Sequence, residues 1–452
     1  MKINKLELLG FRRFEKHAIE FSNRFTLLIG DNGSGKTTIL DALAIAMGDL
    51  IFEITGVKAN EKSRMSLDDM YHLELTMGQQ PLKEILKDTF IVIDGVFSSI
   101  PIHWINGRGV KRFYCLSKGD LDNGYDEILS KFDSKQLNLI KKQAEERTNL
   151  NILFPIAAYY GTGRLWQQLK SKDKKTIGPG SRFEGYQNCL NPASNQKSFF
   201  QWFKTQELAA LQKQERRHVL EAVREAIVSM IPDAQRAWWD LVWDELMIET
   251  LSVQGKLQTI PFSLLSDGYR NMIGVVADIA YRMATLNPQL EADVIKQTEG
   301  IVLIDEIDLH LHPKWQKQVV ERLLDTFPKV QFVASSHSPF IIQSLYHRED
   351  CLLWDLEKNA PVDVDSKSIE DIAENQQGVE IPQQSQRFLD MEKAAEEYYT
   401  VLKQIPPAGE DEKQRLRQRL DELLLPYSDD PAFQAFLKME RLAVEGSRHE
   451  AG

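Results

Sequence analysis

The stretch GDNGSGKT, Gly30–Thr37, decides the fold of this chain. It follows the apolar run Phe25–Ile29 and leads into Thr38–Ala44, so the pattern predicts a strand, a glycine loop and a helix. A triphosphate needs backbone N–H groups aimed inward, and residues without a Cβ let the chain come close enough to supply them. The predicted strand and helix on either side distinguish this loop from a chance match in an ordinary glycine turn.

The loop also carries the side chains that a nucleotide site requires. Lys36 is predicted as a catalytic residue because it can reach the β- and γ-phosphates, and the Thr37 hydroxyl is predicted to bind Mg²⁺. The positive end of the helix dipole adds to the attraction for phosphate. The predicted cofactors are ATP and Mg²⁺, and the predicted nucleotide-binding residues of the loop are Gly30, Asn32, Gly33, Ser34, Gly35, Lys36, Thr37 and Thr38.

Composition describes an ordinary globular chain, with length for roughly two to three domains or for one large α/β unit with insertions. The net charge is −11, from 55 basic and 66 acidic residues, so any contact with a polyanion requires a local basic patch. Cys115, Cys189 and Cys351 lie far apart without metal-ligand spacing, as expected for reduced thiols in a cytosolic protein. There is no signal-peptide pattern and no bilayer-spanning apolar run, so we expect a cytoplasmic protein without membrane contact.

The chain before the glycine loop alternates in hydrophobicity. Lys2–Leu9 is predicted as an edge strand, and a second strand is predicted around Ala18–Phe21. Arg12 lies between them, where a loop can fold back over a nucleotide; we predict it as a nucleotide-binding residue, with a solvated arginine as the alternative. The helix after the loop is predicted to end at about Met47.

Two insertions are predicted in the first domain, at about 48–150 and 165–260. In the first, strand-like runs at Phe90–Val96 and Lys111–Cys115 indicate an appended antiparallel sheet, followed by a helix over Asp126–Arg147. In the second, Ser198–Met230 predicts two helices, and Asp244–Leu251 and Leu257–Leu264 predict paired strands.

A buried strand is predicted between the insertions, at Asn151–Tyr160. It ends in the polar, glycine-rich turn Gly161–Arg164, and such a turn at a strand end is where an α/β sheet places ligand contacts. Arg164 or the glutamines Gln167 and Gln168 can therefore approach phosphate or metal; a tight turn with a helix cap is the equal alternative. The basic cluster Lys170–Lys175 is predicted as an exposed loop, and is also the best local patch for a phosphate backbone.

The second half of the chain supplies the remaining chemistry. Ser266 and Gly268 stand at the start of a predicted helix, a pattern that forms an anion-binding corner or an ordinary N-cap. Ile301–Glu306 is an apolar strand that ends in two carboxylates: Asp305 is predicted to hold Mg²⁺, and Glu306 to act as the base for attack on the γ-phosphate. Helix capping by the two acids is the alternative.

Three histidines follow. His310 and His312 lack a third ligand at fitting spacing, so a turn into the next helix is favoured over a metal site. His337 follows the predicted strand Val330–Ala334 and is predicted as a catalytic residue that hydrogen-bonds the γ-phosphate, with a core histidine as the alternative.

Taken in this order, these elements resemble the ATP-binding-cassette head ATPases of the SMC/RecF/OLD group. Gly30–Thr37 is similar to Walker A, Ser266 and Gly268 to the signature, Asp305 and Glu306 to Walker B, and His337 to the switch histidine. Within the group, FPIAAYYGTGRLW, LLSDGYRN and DEIDLHLHPKWQ resemble the Septu-type (PtuA-like) anti-phage ATPases, which also occur beside retrons. The signature departs from the usual pattern because Asp267 replaces its first glycine, beside Arg270, and the Q-loop glutamine has no secure position.

The resemblance implies an α/β ABC-type head, with a mixed sheet, an appended antiparallel sheet and a helical insertion. It implies that two heads sandwich two ATPs, in a homodimer or higher oligomer, so that Ser266 and Gly268 of one subunit touch the phosphate held by Lys36 of the other. The long coiled coil of SMC proteins and the metal-binding domain of OLD nucleases are not found in the sequence pattern.

A helical C-terminal region is predicted over 361–452, after a head over 1–360. Its apolar residues recur at steps of three and four in three stripes, separated by Pro406–Gly409 and Pro426. These stripes predict either a bundle packed on the head or its dimer mate, or a docking platform for a separate effector, which the family resemblance implies is an HNH-type nuclease. The stripes are Phe388, Met391, Ala395, Tyr398, Leu402 and Ile405; Leu416, Leu420, Leu423 and Leu424; and Phe433, Phe436, Leu437 and Leu442.

The predicted function is an ATPase that senses nucleotide and regulates a partner nuclease in phage defence. Two alternatives are a DNA-repair head that binds duplex DNA directly through Lys170–Lys175, and a scaffold that holds ATP with little turnover. A salt-dependent gel shift favours the first alternative, and single-turnover phosphate release separates the second from an enzyme.

Overall fold

The computed structural model describes most of the chain up to residue 378 and isolated helical positions beyond it. The described residues are 1–57, 59, 65, 67–77, 80–85, 89–97, 100–107, 110–114, 152–164, 181–192, 196–252, 254–364 and 368–378, with single positions between 393 and 422. They fall into two compact units, Met1–Ile369 and Glu370–Gly452. The predicted helix Asp126–Arg147, Gln167, Gln168, Lys170–Lys175, Cys115 and the C-terminal apolar stripes lie outside them.

The first unit contains the strands and nearly all the described helices. The strands are β1 (Lys2–Phe11), β2 (Phe14–Glu20), β3 (Phe25–Ile29), β4 (His72–Met77), β5 (Gln80–Ile85), β6 (Phe90–Phe97), β7 (Ile100–Gly107), β8 (Val110–Tyr114), β9 (Ile156–Tyr160), β10 (Ala234–Asp240), β11 (Glu245–Leu251), β12 (Leu257–Pro261), β13 (Gly300–Ile304), β14 (Val330–Ser335), β15 (Cys351–Asp355) and β16 (Ala360–Val362). The helices are α1 (Lys36–Thr55), α2 (Gln196–Lys213), α3 (His218–Met230), α4 (Asp267–Leu286), α5 (Val294–Gln297), α6 (Pro313–Thr326), α7 (Pro339–Gln343) and, at the unit boundary, α8 (Ile369–Asn375).

A six-stranded sheet in the order β16-β15-β3-β14-β13-β9 forms the core. The strands from β15 to β9 run parallel, and only β16 is antiparallel. Every residue of β3, β9, β13 and β14 is buried, as expected for a parallel sheet that is covered on both faces. The loops after these strands therefore meet at the carboxyl ends of the strands, called the sheet edge below, where an α/β fold places its ligand site.

An antiparallel sheet in the order β2-β1-β6-β7-β8 is appended to this core, and smaller sheets are formed by β10-β11-β12 and β4-β5. The predicted α/β head fold, with a mixed sheet, an appended antiparallel sheet and a helical insertion, is confirmed. The edge position predicted for β1 is wrong, because β1 lies between β2 and β6. Its Lys5 is placed between Glu20 and Asp94 of the neighbouring strands, a pairing that alternation within one strand does not reveal.

The end of α1 also corrects a prediction. The helix continues to Thr55 instead of stopping near Met47, because Gly48 is buried inside it and Gly56 is the residue that ends it. Gly56 has φ of 71°, the left-handed conformation in which glycine commonly terminates helices.

The predicted helical hairpin is confirmed as α2 and α3, and the predicted strand pair as β11 and β12. Strands β4, β5, β7, β10, β15 and β16 were not predicted. Within the described part of the chain, no helix is long and apolar enough to cross a membrane.

Candidate nucleotide-binding and hydrolysis site

The loop between β3 and α1 has the backbone that the glycine pattern predicts. Gly30 has φ of 138° and Gly35 has φ of 105°, values that side chains disfavour. A Cβ on Gly35 would lie 2.5 Å from Cζ of Phe14, and a Cβ on Gly30 would lie 2.8 Å from Oγ of Ser34. The loop is thus folded tightly on itself and on the start of β2, and it leads directly into the first turn of α1.

Lys36 is the first residue of α1, and its buried side chain reaches back into this loop. Its Nζ donates hydrogen bonds to the carbonyl oxygens of Gly30 at 2.7 Å and Asp31 at 2.9 Å. Burial lowers the pKa of the ammonium group, while Asp305 and Asp31 act in the opposite direction. The structure therefore holds a cation inside the loop on two backbone carbonyls, where a phosphate would be a stronger partner.

The carboxylate of Asp305 joins the loop to the core sheet. Its Oδ2 accepts a hydrogen bond from the Thr37 hydroxyl at 2.9 Å, and its Oδ1 accepts one from the Ser335 hydroxyl at 2.6 Å. Ser335 Oγ in turn accepts the N–H of Glu306 at 2.8 Å. The ends of β3, β13 and β14 are thus held together by side chains that the sequence places far apart.

These residues fit a magnesium–triphosphate. Mg²⁺ prefers oxygen ligands and keeps several waters, and the Thr37 hydroxyl and Asp305 carboxylate lie close enough to serve as such a pair. Among the described residues, the buried hydroxyl of Ser34 has no hydrogen-bond partner. A phosphate oxygen in the loop would supply one.

Glu306 directly follows Asp305 and has an unusual backbone. Its φ is 47°, a left-handed conformation that is uncommon outside glycine, and such conformations cluster at functional sites. Its N–H is bonded to Ser335 and its carbonyl oxygen accepts from Arg164, so the backbone is fixed on both sides. The half-buried side chain is therefore presented at the sheet edge next to Asp305.

His337 lies just beyond β14 and is exposed, which argues against the core-histidine alternative. Its loop is fixed by the neighbouring serines: Ser336 Oγ donates to Asp308 at 2.5 Å, and Ser338 Oγ donates to Gln316 at 2.6 Å. A hydrogen-bonded loop thus carries an exposed imidazole at the edge where Asp305 lies. Its contact with a γ-phosphate stays a prediction.

The signature residues lie at the start of α4. Ser266 is at the N-cap position and is exposed, and its side chain makes no capping hydrogen bond. Gly268 is buried, and a Cβ there would lie 2.5 Å from the carbonyl oxygen of His310. Asp267 is paired with Arg270, as the sequence suggested. In the described part of the chain, no hydrogen bond joins Ser266 or Gly268 to the phosphate loop.

Replacing Gly268 by Ala is expected to destabilise the fold, because the new methyl group would press on the His310 carbonyl. The clash is with a backbone oxygen, which cannot rotate away, so it should cost about 2–3 kcal/mol, while the gain in helix propensity is about 1 kcal/mol; the free energy of unfolding should therefore fall by about 1–2 kcal/mol. Ser266→Ala is the matched control in the same helix: it should leave that free energy unchanged and lower ATP turnover. Denaturant unfolding measures both, and a Gly268→Ala variant as stable as the unmodified chain would refute the packing argument.

Two of the arginines noted in the sequence make hydrogen bonds within the head. Arg12 is half-buried, and its guanidinium pairs with Asp41 of α1 at 2.6 Å and with Asp69 at 2.9 Å. Its contact with a nucleotide stays a prediction. The exposed Arg13 was not singled out, yet its Cδ would lie 3.0 Å from a Cβ on Gly35.

Arg164 is buried and donates to the backbone of both Walker B residues, Asp305 at 2.7 Å and Glu306 at 2.9 Å. It therefore supports the site from behind instead of facing it. The turn predicted at His310 and His312 is confirmed, since His312 caps α6 by accepting the N–H of Lys314. The described residues contain no cluster of metal-ligating side chains that would support a metal site there.

Sequence reasoning missed Ser335 and Glu357. Glu357 follows β15 and accepts the N–H of Asp31 in the phosphate loop at 2.7 Å. The only signal for either residue was its position. Ser335 ends β14, which lies between β3 and β13, and Glu357 follows β15, which pairs with β3.

The chain matches the family described as AAA domain over residues 5–235, and the AAA ATPase domain over residues 186–342. It is 27% identical to the Retron Vc95 probable ATPase of Vibrio cholerae serotype O1 biovar El Tor, over 76% of this chain and 72% of that protein. It is 27% identical to the Septu protein PtuA of Bacillus mycoides (strain KBAB4), over 79% of this chain and 41% of that protein. The SMC head domain from Thermotoga maritima superimposes with a TM-score of 0.39 at 15% identity, over 78% of this chain and 94% of that one. The predicted resemblance to Septu and retron ATPases is confirmed.

Proposed function

The chain belongs to the AAA domain family and is an ATPase, and we propose that it hydrolyses Mg²⁺–ATP at composite sites between two copies of itself. One copy supplies the phosphate loop, Asp305, Glu306 and His337, and its partner supplies Ser266 and Gly268. The observation that supports this most strongly is the bonding of Asp305 to both Thr37 and Ser335, which brings the phosphate loop, the Walker B turn and the end of β14 together at one sheet edge. Ser266, by contrast, is exposed, and among the described residues no hydrogen bond joins its side chain to the phosphate loop of the same copy.

The residues that each copy supplies to the composite site have distinct tasks. The Lys36 ammonium would exchange its two carbonyl partners for phosphate oxygens, which places positive charge where negative charge develops in phosphoryl transfer. Glu306 would orient the attacking water and accept its proton, and His337 would hydrogen-bond the γ-phosphate. When bound to Thr37 and Asp305, Mg²⁺ would neutralise charge on the β- and γ-phosphates. Ser266 of the partner would close the site and exclude water.

Complementation between two inactive variants tests this arrangement. Lys36→Ala disables the phosphate loop and Ser266→Arg disables the signature residues, so each variant alone should be inactive. In an equal mixture, half of the dimers contain one intact site of the two, so ATP turnover should return to roughly a tenth to a quarter of the unmodified level. A mixture that stays as inactive as its components would contradict sites shared between subunits.

We further propose that closure of the heads regulates a separate HNH-type nuclease in defence against phage. The proposal is supported by the similarity to a Septu protein PtuA and to retron ATPases, and by the predicted apolar stripes of the C-terminal region. A ligand that binds closed and open heads with different affinity shifts their populations, and so changes what the C-terminal region presents.

Substitutions in the predicted stripes test this part of the proposal. With the protein encoded by the neighbouring gene, Met391→Asp and Tyr398→Asp should abolish co-purification and leave ATP turnover unchanged. Lys393→Ala, at an exposed helical position in the same stretch, is the control and should retain the partner. Retention of the nuclease by both Asp variants, or the absence of any nuclease that co-purifies, would contradict the docking proposal.

A further inference from the structure

A buried arginine connects two parts of the molecule that the proposed function assigns to different ATP sites. Arg164 lies in the turn after β9 and is 4% exposed. Its Nη1 donates to the carbonyl oxygens of Gly161 at 3.0 Å and Asp305 at 2.7 Å, and its Nη2 donates to that of Glu306 at 2.9 Å. One face of the guanidinium therefore fixes the backbone at the end of β13.

The other side of the same group holds the signature helix. The Nε of Arg164 donates to Oδ1 of Asn271, close to the start of α4, at 2.6 Å. Asn271 is also buried, and its Nδ2 donates to the carbonyl oxygen of Leu309 at 2.9 Å. Leu309 N–H bonds back to the Glu306 carbonyl at 3.0 Å, so the ring of contacts closes on the Walker B turn.

This geometry is specific to the two side chains. A planar guanidinium presents its donors in a fixed fork, and here all three nitrogens are engaged at once. Burial lowers the pKa of Arg164 to about 10, so the group stays charged at neutral pH, and its removal would take a donor from the Asp305 carbonyl oxygen and from Asn271 Oδ1. A displacement of Asp305 and Glu306 must therefore either carry the start of α4 with it or break these bonds.

We propose that Arg164 and Asn271 are positioning residues that couple the two ATP sites of a dimer. Within one subunit they tie the Walker B turn, which acts on that subunit's own ATP, to the helix start that carries Ser266, which acts on the partner's ATP. This inference rests on the composite site proposed above. It adds that hydrolysis at one site is transmitted to the other through this link.

Cooperativity of ATP turnover tests the link. The unmodified chain should show a Hill coefficient clearly above 1, toward a limit of about 2 for two sites, and Asn271→Ala and Arg164→Lys should each lower it to about 1. In a Glu306→Gln background both variants should still dimerise with ATP. Arg164→Lys keeps the buried charge, so it provides the measurement if Asn271→Ala does not fold.

Arg282, which lies in α4 together with Asn271, offers a matched control. It is 1% exposed and donates to Asp278 and to the carbonyl oxygens of Gly185 and Gln187, so it is an equally buried and bonded arginine away from the Walker B turn. Arg282→Lys should lower the unfolding midpoint without changing the Hill coefficient.

The outcomes separate the inference from the function on which it rests. An unchanged Hill coefficient in the two link variants, or an equal fall in Arg282→Lys, would overturn the coupling. A Hill coefficient of 1 in an unmodified chain that dimerises with ATP would also overturn it, and would leave the composite site standing. Failure of the Glu306→Gln chain to dimerise at all would overturn the composite site, and the coupling with it.

Discussion

Replacing Lys36 by Ala is expected to lower ATP turnover by at least about 100-fold, because removing one donor aimed at developing charge typically costs a factor of 100–1,000. The buried ammonium is held by two carbonyl oxygens of its own loop, so it is already positioned for phosphate without the cost of organising a flexible side chain. The measurement is steady-state phosphate release, together with equilibrium binding of ATP.

Lys16→Ala is the matched control, since Lys16 is an exposed lysine on β2 near the same loop in sequence. It should turn over ATP at the unmodified rate. A Lys36→Ala chain that binds and hydrolyses ATP within a few-fold of the control would remove the phosphate loop from the mechanism.

Replacing Glu306 by Gln is expected to lower turnover by about 100- to 10,000-fold, the range that general-base groups contribute, and to leave ATP affinity unchanged. The amide has the same shape as the carboxylate, and the bonds that fix residue 306 involve only its backbone N–H and carbonyl oxygen. The left-handed backbone and the position of Asp305 should therefore be retained, so that only the proton acceptor is lost.

Glu321→Gln, on the exposed face of α6, is the control for this loss of charge and should have no effect on turnover. Single-turnover phosphate release separates the chemical step from product release. If Glu306→Gln turned over ATP at the unmodified rate, the proton acceptor would have to be another group.

The parts of the fold that could be predicted are those whose pattern lies within a short contiguous stretch of sequence. The apolar runs before the phosphate loop and before Asp305 identify β3 and β13, because a parallel strand buried on both faces has an unbroken apolar pattern. The edge position of β1 failed because its second neighbour, β6, lies about 80 residues further along the chain. The end of α1 failed because Gly48 and Gly56 look alike in sequence, and only Gly56 has the left-handed backbone.

The same distinction applies to the candidate site. Thr37 and Asp305 were paired by their motifs, and the structure brings them to 2.9 Å. Ser335 has no motif of its own and enters the network only because β14 lies between β3 and β13. Arg164 was noted for a position at a strand end, but whether such a side chain faces a ligand or turns inward depends on packing, and here Asn271 and the backbone of Asp305 draw it inward.

The central claim is that Mg²⁺–ATP is held between two copies of this chain. Light scattering on the Glu306→Gln chain after size exclusion tests it most directly, with Mg²⁺–ATP in one run and Mg²⁺–ADP in the other. With ATP, the molar mass should rise to about twice the 51.9 kDa of one chain, or to a higher even multiple, and adding Ser266→Arg should prevent the rise. A mass that stays at one chain with ATP, or that is the same with ATP, with ADP and with Ser266→Arg, would contradict the claim.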